Sequence, residues 1–148
     1  MKTFRLLGIV LAAVVLAAGC GGGGGASLAP PAYNVTGTWN VTMTIGYNTA
    51  GVSNGTQESA VLIMNQQTNS NTVYVRDQNA AVGDAQPATL SGNSFSYAGP
   101  SSDMYGCTDM VANLTGTFDT ATRLTGKGRL TCRTSGDYGD VTFSATKQ

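Results

Sequence analysis

The chain has 148 residues, with eight basic and eight acidic side chains and no histidine. This length suits one small domain with a single core, and without a basic patch nucleic acid is not expected as a partner. The lack of histidine removes the imidazole base and the usual zinc site, and no nucleophile elbow, phosphate loop or paired catalytic carboxylates appear. We therefore expect no enzyme, no metal and no other cofactor.

Residues 1–19 have the pattern of a secretory signal peptide. Lys2 and Arg5 provide a positive start, and the apolar run that follows is too short for a stable membrane span. The run ends in Leu16-Ala-Ala-Gly-Cys20, which resembles the lipobox of bacterial lipoproteins, although its leucine stands one position further from the cysteine than usual. The resemblance implies cleavage before Cys20 and lipid attachment to it. The alternative is an ordinary signal peptide with a chance cysteine.

Residues 20–32 form a tether of consecutive glycines that ends in prolines. Such a stretch holds no fixed conformation of its own and suits the link between a lipid anchor and a folded domain. Once the two basic residues of the signal peptide are removed, six basic residues remain against eight acidic ones, a net charge of −2. We expect a cell-envelope lipoprotein, held in the membrane by the lipid on Cys20. Gly21, in place of an aspartate that would resemble an inner-membrane retention signal, favours the outer membrane, with the periplasmic or surface face left open.

Residues 34–45 alternate between apolar or glycine residues at odd positions and Asn or Thr at even positions. This period of two predicts a β-strand with one buried face, and the strand contains the chain's only tryptophan, Trp39. The strand at 58–65 is apolar on both faces, so its inward side stays open. No stretch after residue 32 has helical periodicity, and the folded domain is expected over residues 33–148. Further strands are predicted at 72–76, 88–90, 94–97, 109–118, 123–132 and 140–147.

Eight strands in simple succession predict an antiparallel up-and-down meander. With an even count the first and last strands run antiparallel and can pair, so we expect an all-β, eight-stranded barrel; a sandwich is the alternative. Strand order places the four long loops at one end, the mouth, and the tight turns at the other end, beside the tether. The mouth should therefore point away from the membrane.

Cys107 and Cys132 remain as an even pair in an oxidising compartment, which predicts a disulfide; two buried free thiols are the alternative. A turn at 119–122 joins the strands 109–118 and 123–132 into a hairpin. This hairpin brings the cysteines nearly opposite each other at its far end. The small offset between them predicts a bulge in residues 107–110.

Candidate binding residues belong to the mouth, where aromatic and charged side chains gather in or beside the long loops. The acidic ones would attract a cation or a basic partner, although aspartate also suits loops for its own turn-forming chemistry. The candidates are Tyr47, Tyr105, Tyr138, Asp103, Asp137, Asp140 and Arg133.

Gly37-Thr38-Trp39, at the start of the first strand, resembles the Gly-x-Trp signature of the calycin superfamily of lipocalins, fatty-acid-binding proteins and avidins. In those families the tryptophan packs across the closed base of the barrel under a basic residue near the last strand. The resemblance assigns that place to Lys147, where arginine is usual. It implies a barrel that binds a small apolar or amphipathic ligand. The strand pattern itself places Gly37, Gly116, Gly126 and Gly128 on the inward face, where they leave room for one.

Two other functions stay open. The barrel interior would instead be filled by side chains, and the mouth loops would inhibit a lysozyme or a secreted protease. A purely structural envelope lipoprotein is the third possibility. An empty or a full interior distinguishes the ligand-binding function from both.

Overall fold

The chain folds into a closed eight-stranded antiparallel barrel. The computed structural model describes residues 27–148, so the predicted signal peptide and lipidated Cys20 lie outside the described part. Each strand pairs with the next one, and the first pairs with the last. The predicted up-and-down barrel is therefore confirmed. Its strands are β1 (Gly37–Asn48), β2 (Gln57–Gln66), β3 (Thr72–Asp77), β4 (Gln86–Ser91), β5 (Ser94–Pro100), β6 (Met110–Thr120), β7 (Arg123–Cys132) and β8 (Tyr138–Lys147).

Several strands extend further toward the mouth than their patterns predict. β1 continues through Gly46 to Asn48, across a register shift after Ile45. β8 begins at Tyr138, and β5 continues to Pro100. Backbone hydrogen bonds form whether or not apolar and polar side chains alternate. A strand can therefore extend beyond the alternating residues that predict it. A short 3-10 helix precedes β4, and no helix within residues 27–148 is long and apolar enough to cross a membrane.

The inward face of β2 is decided by its pairing with β1. Trp39 lies opposite Leu62, and Gly37 lies opposite Met64. Residues opposite each other in a ladder share a face of the sheet. The even-numbered residues of β2 therefore face the interior, and the odd-numbered apolar residues such as Ile63 face outward.

The closed end is filled by a core around Trp39, whose side chain is fully buried. Its indole N–H donates a hydrogen bond to the carbonyl of Val35 (2.9 Å). The Trp39 ring meets Phe118 edge-on with centroids 5.6 Å apart, and Phe95 meets Phe118 in the same way at 6.4 Å. Edge-to-face pairs add to the free energy gained by burial alone. Trp39 thus occupies the base of the barrel.

A disulfide joins Cys107 to Cys132, with Cα atoms 5.8 Å apart, as predicted. The predicted route to it is wrong, because β6 and β7 pair Met110 with Cys132 and leave Cys107 in the loop before β6. The predicted bulge at 107–110 is absent. The irregularity lies at the other end of the hairpin, where β6 continues into the predicted turn as far as Thr120.

The described part of the tether runs along the turn between β4 and β5. The N–H of Ala32 donates to the carbonyl of Gly92 (2.7 Å), and the N–H of Gly92 donates to the carbonyl of Ala29 (3.2 Å). The side chain of Asn71 donates to the same Ala29 carbonyl (2.7 Å). The chain therefore enters the barrel at the end opposite the four long loops.

Candidate functional site

A cavity of about 600 Å³ lies inside the barrel, between the closed-end core and the mouth. Its walls are mainly apolar and include Val41, Met43, Val75 and Leu114. These four side chains face inward, yet they are only half-buried. They are exposed to the cavity, so the interior at this level is open to solvent and is not a filled core. The volume falls within the range of small-molecule sites.

The inward glycines do not create this space. A Cβ atom on Gly126 would lie 2.3 Å from the carbonyl oxygen of Thr115 and 2.4 Å from the ring of Phe143. A Cβ atom on Gly128 would lie 2.7 Å from the side chain of Leu114. The room predicted above these glycines is therefore occupied by backbone oxygens and side chains of the neighbouring strands. The glycines serve close packing of the wall, which bounds the cavity.

The predicted base residues meet at the closed end. Lys147 pairs with Trp39 across β8 and β1. Its aliphatic stem lies over Gly37, where an added Cβ would be 2.5 Å from the Lys147 side chain. Gly37 has φ = 148°, which L side chains rarely adopt. The glycine of the Gly-x-Trp sequence is thus required by its backbone and by the lysine that covers it.

β4 and β5 separate beside the cavity, whose lining includes Gln86 and Tyr97 from these two strands. Their ladder ends at Thr89, whereas β5 continues to Pro100 against β6. The N–H of Leu90 donates to the carbonyl of Asn71, on the β3 side of the strand (2.6 Å). Backbone N–H groups of successive residues point to opposite sides of a strand, so the N–H of residue 87 would point toward β5. That position is Pro87, which has no N–H to continue the ladder. The seam between β4 and β5 therefore opens toward the mouth.

Arg76 shapes the loop beside this opening. Its Nη1 donates hydrogen bonds to the carbonyls of Asp77 (3.1 Å), Gln78 (3.2 Å) and Ala80 (2.8 Å). The loop between β3 and β4 is thereby folded against the barrel, and it contributes Ala80 and Asp84 to the lining of the cavity. Arg76 acts here as a structural clamp on backbone oxygens.

The loop between β5 and β6 closes the other side of the mouth through Tyr105. The Tyr105 hydroxyl donates a hydrogen bond to the Glu58 carboxylate (2.8 Å). Loss of hydration raises the pKa of Tyr105 to about 12, and the hydrogen bond to Glu58 and the charge of Glu58 raise it as well. Met104, next to it, lines both the main cavity and a smaller pocket of about 200 Å³ beside the disulfide.

Titration of the tyrosines should show a group that ionises with a pKa of about 12, because loss of hydration and then the contact with the Glu58 carboxylate raise the pKa of Tyr105. Its contribution to stability is present below pH ~10, the unfolded value, and is lost as the pH rises through the folded value. Tyrosinate absorbance measures the step. Tyr105→Phe should remove it, Glu58→Gln should lower its pKa, and Tyr47→Phe should leave it unchanged. A step that persists in Tyr105→Phe would refute the assignment.

Three of the predicted mouth residues gather on the outer wall formed by β7, β8 and the end of β1. The rings of Tyr47 and Tyr138 lie 6.1 Å apart, and the Arg129 guanidinium lies 4.4 Å above the Tyr138 ring. Arg129 also forms an ion pair with Asp140 (2.8 Å). These side chains thus interact with one another on the outside of the barrel and not with the main cavity.

The other predicted mouth residues lie in the loops. Asp137 accepts a hydrogen bond from Thr49 (3.1 Å) and lines the smaller pocket. Arg133 lies 3.8 Å from Asp109, and Asp103 is exposed. Of all seven candidates, only Tyr105 is tied to the main cavity, and it is so through its contact with Glu58.

The polar residues that do line the cavity were not among the predicted candidates. They include Glu58, Asp77, Gln86 and Tyr97. Their positions in the strands could have identified them, because Glu58 lies opposite the inward-facing Met43 and Asp77 lies opposite the inward-facing Leu62. The sequence pattern leaves the inward face of β2 open, so it does not assign Glu58 to the interior.

Comparison with known proteins adds support for the fold. No protein-family model and no curated protein matches this sequence. Among solved structures, a redesigned β-barrel is similar, with 17% sequence identity and a TM-score of 0.51, over 77% of this chain and 91% of that chain. At this identity the likeness shows the fold alone. The fold and cavity define a small, closed up-and-down β-barrel with an open interior.

Proposed function

We propose that this protein is a lipid-anchored envelope lipoprotein whose barrel binds one small apolar or amphipathic molecule. The observation that carries the proposal is the cavity of about 600 Å³. Mainly apolar walls with a few polar groups at the entrance are the usual composition of a small-molecule site. The rim supplies such groups in Glu58, Asp77, Gln86 and Tyr97.

The open interior favours this function over a protease or lysozyme inhibitor and over a purely structural lipoprotein. Neither alternative gains from inward-facing apolar side chains left exposed to solvent, as Met43 and Val75 are. Such surface is unfavourable in water, and an apolar ligand would remove it from water and add contacts. The empty cavity therefore lowers the free energy of unfolding, and a bound ligand would raise it again.

Three features support the placement in the envelope. The sequence resembles a lipobox at Cys20, and the disulfide between Cys107 and Cys132 suits an oxidising compartment. The tether enters at the closed end, beside Gly92. A lipid on Cys20 would thus hold the mouth away from the membrane, where it meets ligand. Gly21 favours the outer membrane, and the Gly-x-Trp resemblance at Trp39 agrees with a calycin-like binding module.

Filling the cavity should weaken binding. Ala60 faces inward opposite Val41 and lines the cavity, so Ala60→Trp places an indole in the space that a ligand needs. Calorimetric titration of the full chain in lipid nanodiscs with octan-1-ol, with empty nanodiscs as the blank, measures the effect. We expect Ala60→Trp to weaken binding by about tenfold or more, equivalent to at least about 1.4 kcal/mol.

The matched control is Ala98→Trp. Ala98 is exposed on β5 between the inward positions Tyr97 and Gly99, so the same indole is added to the outer face. Its affinity for octan-1-ol should equal that of the wild type. Equal affinity in Ala60→Trp, or no binding by the wild type, would contradict a ligand site in the barrel.

A further inference from the structure

The entrance of the cavity carries negative charge above apolar walls. Glu58, Asp77 and Asp84 line it at the mouth. Both Glu58 and Asp77 occupy inward positions of their ladders, on neighbouring strands. The basic residue in the lining is Arg76, and its Nη1 atom is directed at three backbone carbonyls of the adjacent loop.

These carboxylates form no ion pair within residues 27–148, whereas carboxylates elsewhere do. Glu58 accepts a hydrogen bond from the neutral Tyr105 hydroxyl, and Asp77 accepts one from the N–H of Asn79 (2.8 Å). The three ion pairs of the described chain are Arg123 with Asp119, Arg129 with Asp140, and Arg133 with Asp109. None of their members lines the cavity.

An ammonium group at this rim would gain from the local geometry. Charges attract more strongly beside a low-dielectric wall than in bulk water, and a cation there would meet carboxylates that form no ion pair within residues 27–148. Over the described residues no three acidic or other ligating side chains converge closely enough to hold a metal ion. The negative charge is thus spread along the rim and not focused on one point, which favours an organic cation over a bare metal ion.

We propose that the ligand is a cationic amphiphile, with its apolar body inside the cavity and its ammonium or amidinium group at the rim, in the negative field of Glu58, Asp77 and Asp84. The cavity supplies the site, and the rim supplies the selection by charge. This inference rests on the proposed ligand-binding function and names the class of molecule that the same site takes.

Three ligands of eight carbon atoms each separate the effect of charge from that of apolar burial: octylammonium, octan-1-ol and octanoate. Each is titrated by calorimetry into the full chain in nanodiscs of uncharged lipid, with empty discs as the blank. Because charge-assisted hydrogen bonds exceed neutral ones, octylammonium should bind about tenfold more tightly than octan-1-ol. Octanoate should bind more weakly than the alcohol. Raising the salt concentration should reduce the preference, since the rim is open to solvent.

The double variant Glu58→Gln/Asp77→Asn tests which residues select the charge. Its amides keep the acceptors used by Tyr105 and Asn79, and the three ligands should then bind within about threefold of one another, a difference near 0.65 kcal/mol. Octan-1-ol should bind as in the wild type. The matched control, Asp103→Asn/Asp119→Asn, removes the same charge from exposed positions outside the cavity and should keep the preference.

The outcomes are distinct. Octan-1-ol that binds while octylammonium gains nothing overturns the charge selection and leaves the ligand-binding function standing. A preference that survives in the double variant overturns the role of Glu58 and Asp77. Octan-1-ol and octylammonium that both fail to bind overturn the proposed function itself. The comparison of the three ligands on the wild type stands even if the double variant does not fold.

Discussion

Trp39→Ala should lower the free energy of unfolding by about 3–5 kcal/mol, the usual range for removal of a large buried aromatic side chain. Trp39 is fully buried at the base of the barrel. The change deletes its edge contact with Phe118 and leaves the Val35 carbonyl without its indole donor, and a buried acceptor without a partner adds to the loss. Denaturant unfolding followed by circular dichroism measures the effect, since the variant has no tryptophan fluorescence.

The matched control for this change is Tyr74→Ala. Tyr74 is an exposed aromatic side chain on β3, so its removal should change the free energy of unfolding by less than about 1 kcal/mol. Trp39→Phe keeps an aromatic ring and should fall between the two variants. If Trp39→Ala unfolds at the same denaturant concentration as Tyr74→Ala, Trp39 does not hold the base together.

Removal of the disulfide should lower the free energy of unfolding by about 3–4 kcal/mol in the chain-entropy model, for a bridge between residues 25 apart. The double change Cys107→Ala/Cys132→Ala also frees the loop before β6, because Cys107 lies outside the ladder. That loop carries Met104 into the wall of the main cavity. We therefore expect weaker ligand binding together with lower stability.

A reductant provides the internal control for the disulfide. It should lower the unfolding midpoint of the wild type and have no effect on Cys107→Ala/Cys132→Ala. Cys20→Ala keeps the bridge and should respond to reductant as the wild type does. A wild-type midpoint that does not change when the bridge is reduced would contradict a stabilising role for it.

The barrel could be predicted from sequence because its longer strands alternate. β1, β6, β7 and β8 each place apolar residues or glycine at every second position, so one face must be buried whatever the neighbours are. β2 is different, since Val61 and Ile63 are as apolar as Leu62 and Met64. Its inward face depends on the register with β1, which is a long-range contact.

The cavity entrance could not be predicted in the same way. Loop lengths located the mouth, but the separation of β4 from β5 beside the cavity depends on the missing N–H of Pro87, and the path of the adjacent loop depends on the Arg76 clamp. Both act through tertiary contacts. The register shift after Ile45 changes the direction of the side chains at the end of β1, so the ring of Tyr47 packs near the ring of Tyr138 on the outer wall. Aromatic residues in mouth loops were therefore a poor guide to the interior.

Occupation of the cavity can be observed directly at its methionines. Met43 and Met64 line the main cavity, whereas Met110 lines the smaller pocket beside the disulfide. In the full chain labelled with carbon-13 at the methionine methyl groups, single changes to leucine assign the signals. Titration with octylammonium should shift the signals of Met43 and Met64 and leave that of Met110 unchanged, and Ala60→Trp should need about tenfold more ligand, or more, to reach half of the shift. Saturating ligand that moves neither Met43 nor Met64 would show that the barrel does not bind it.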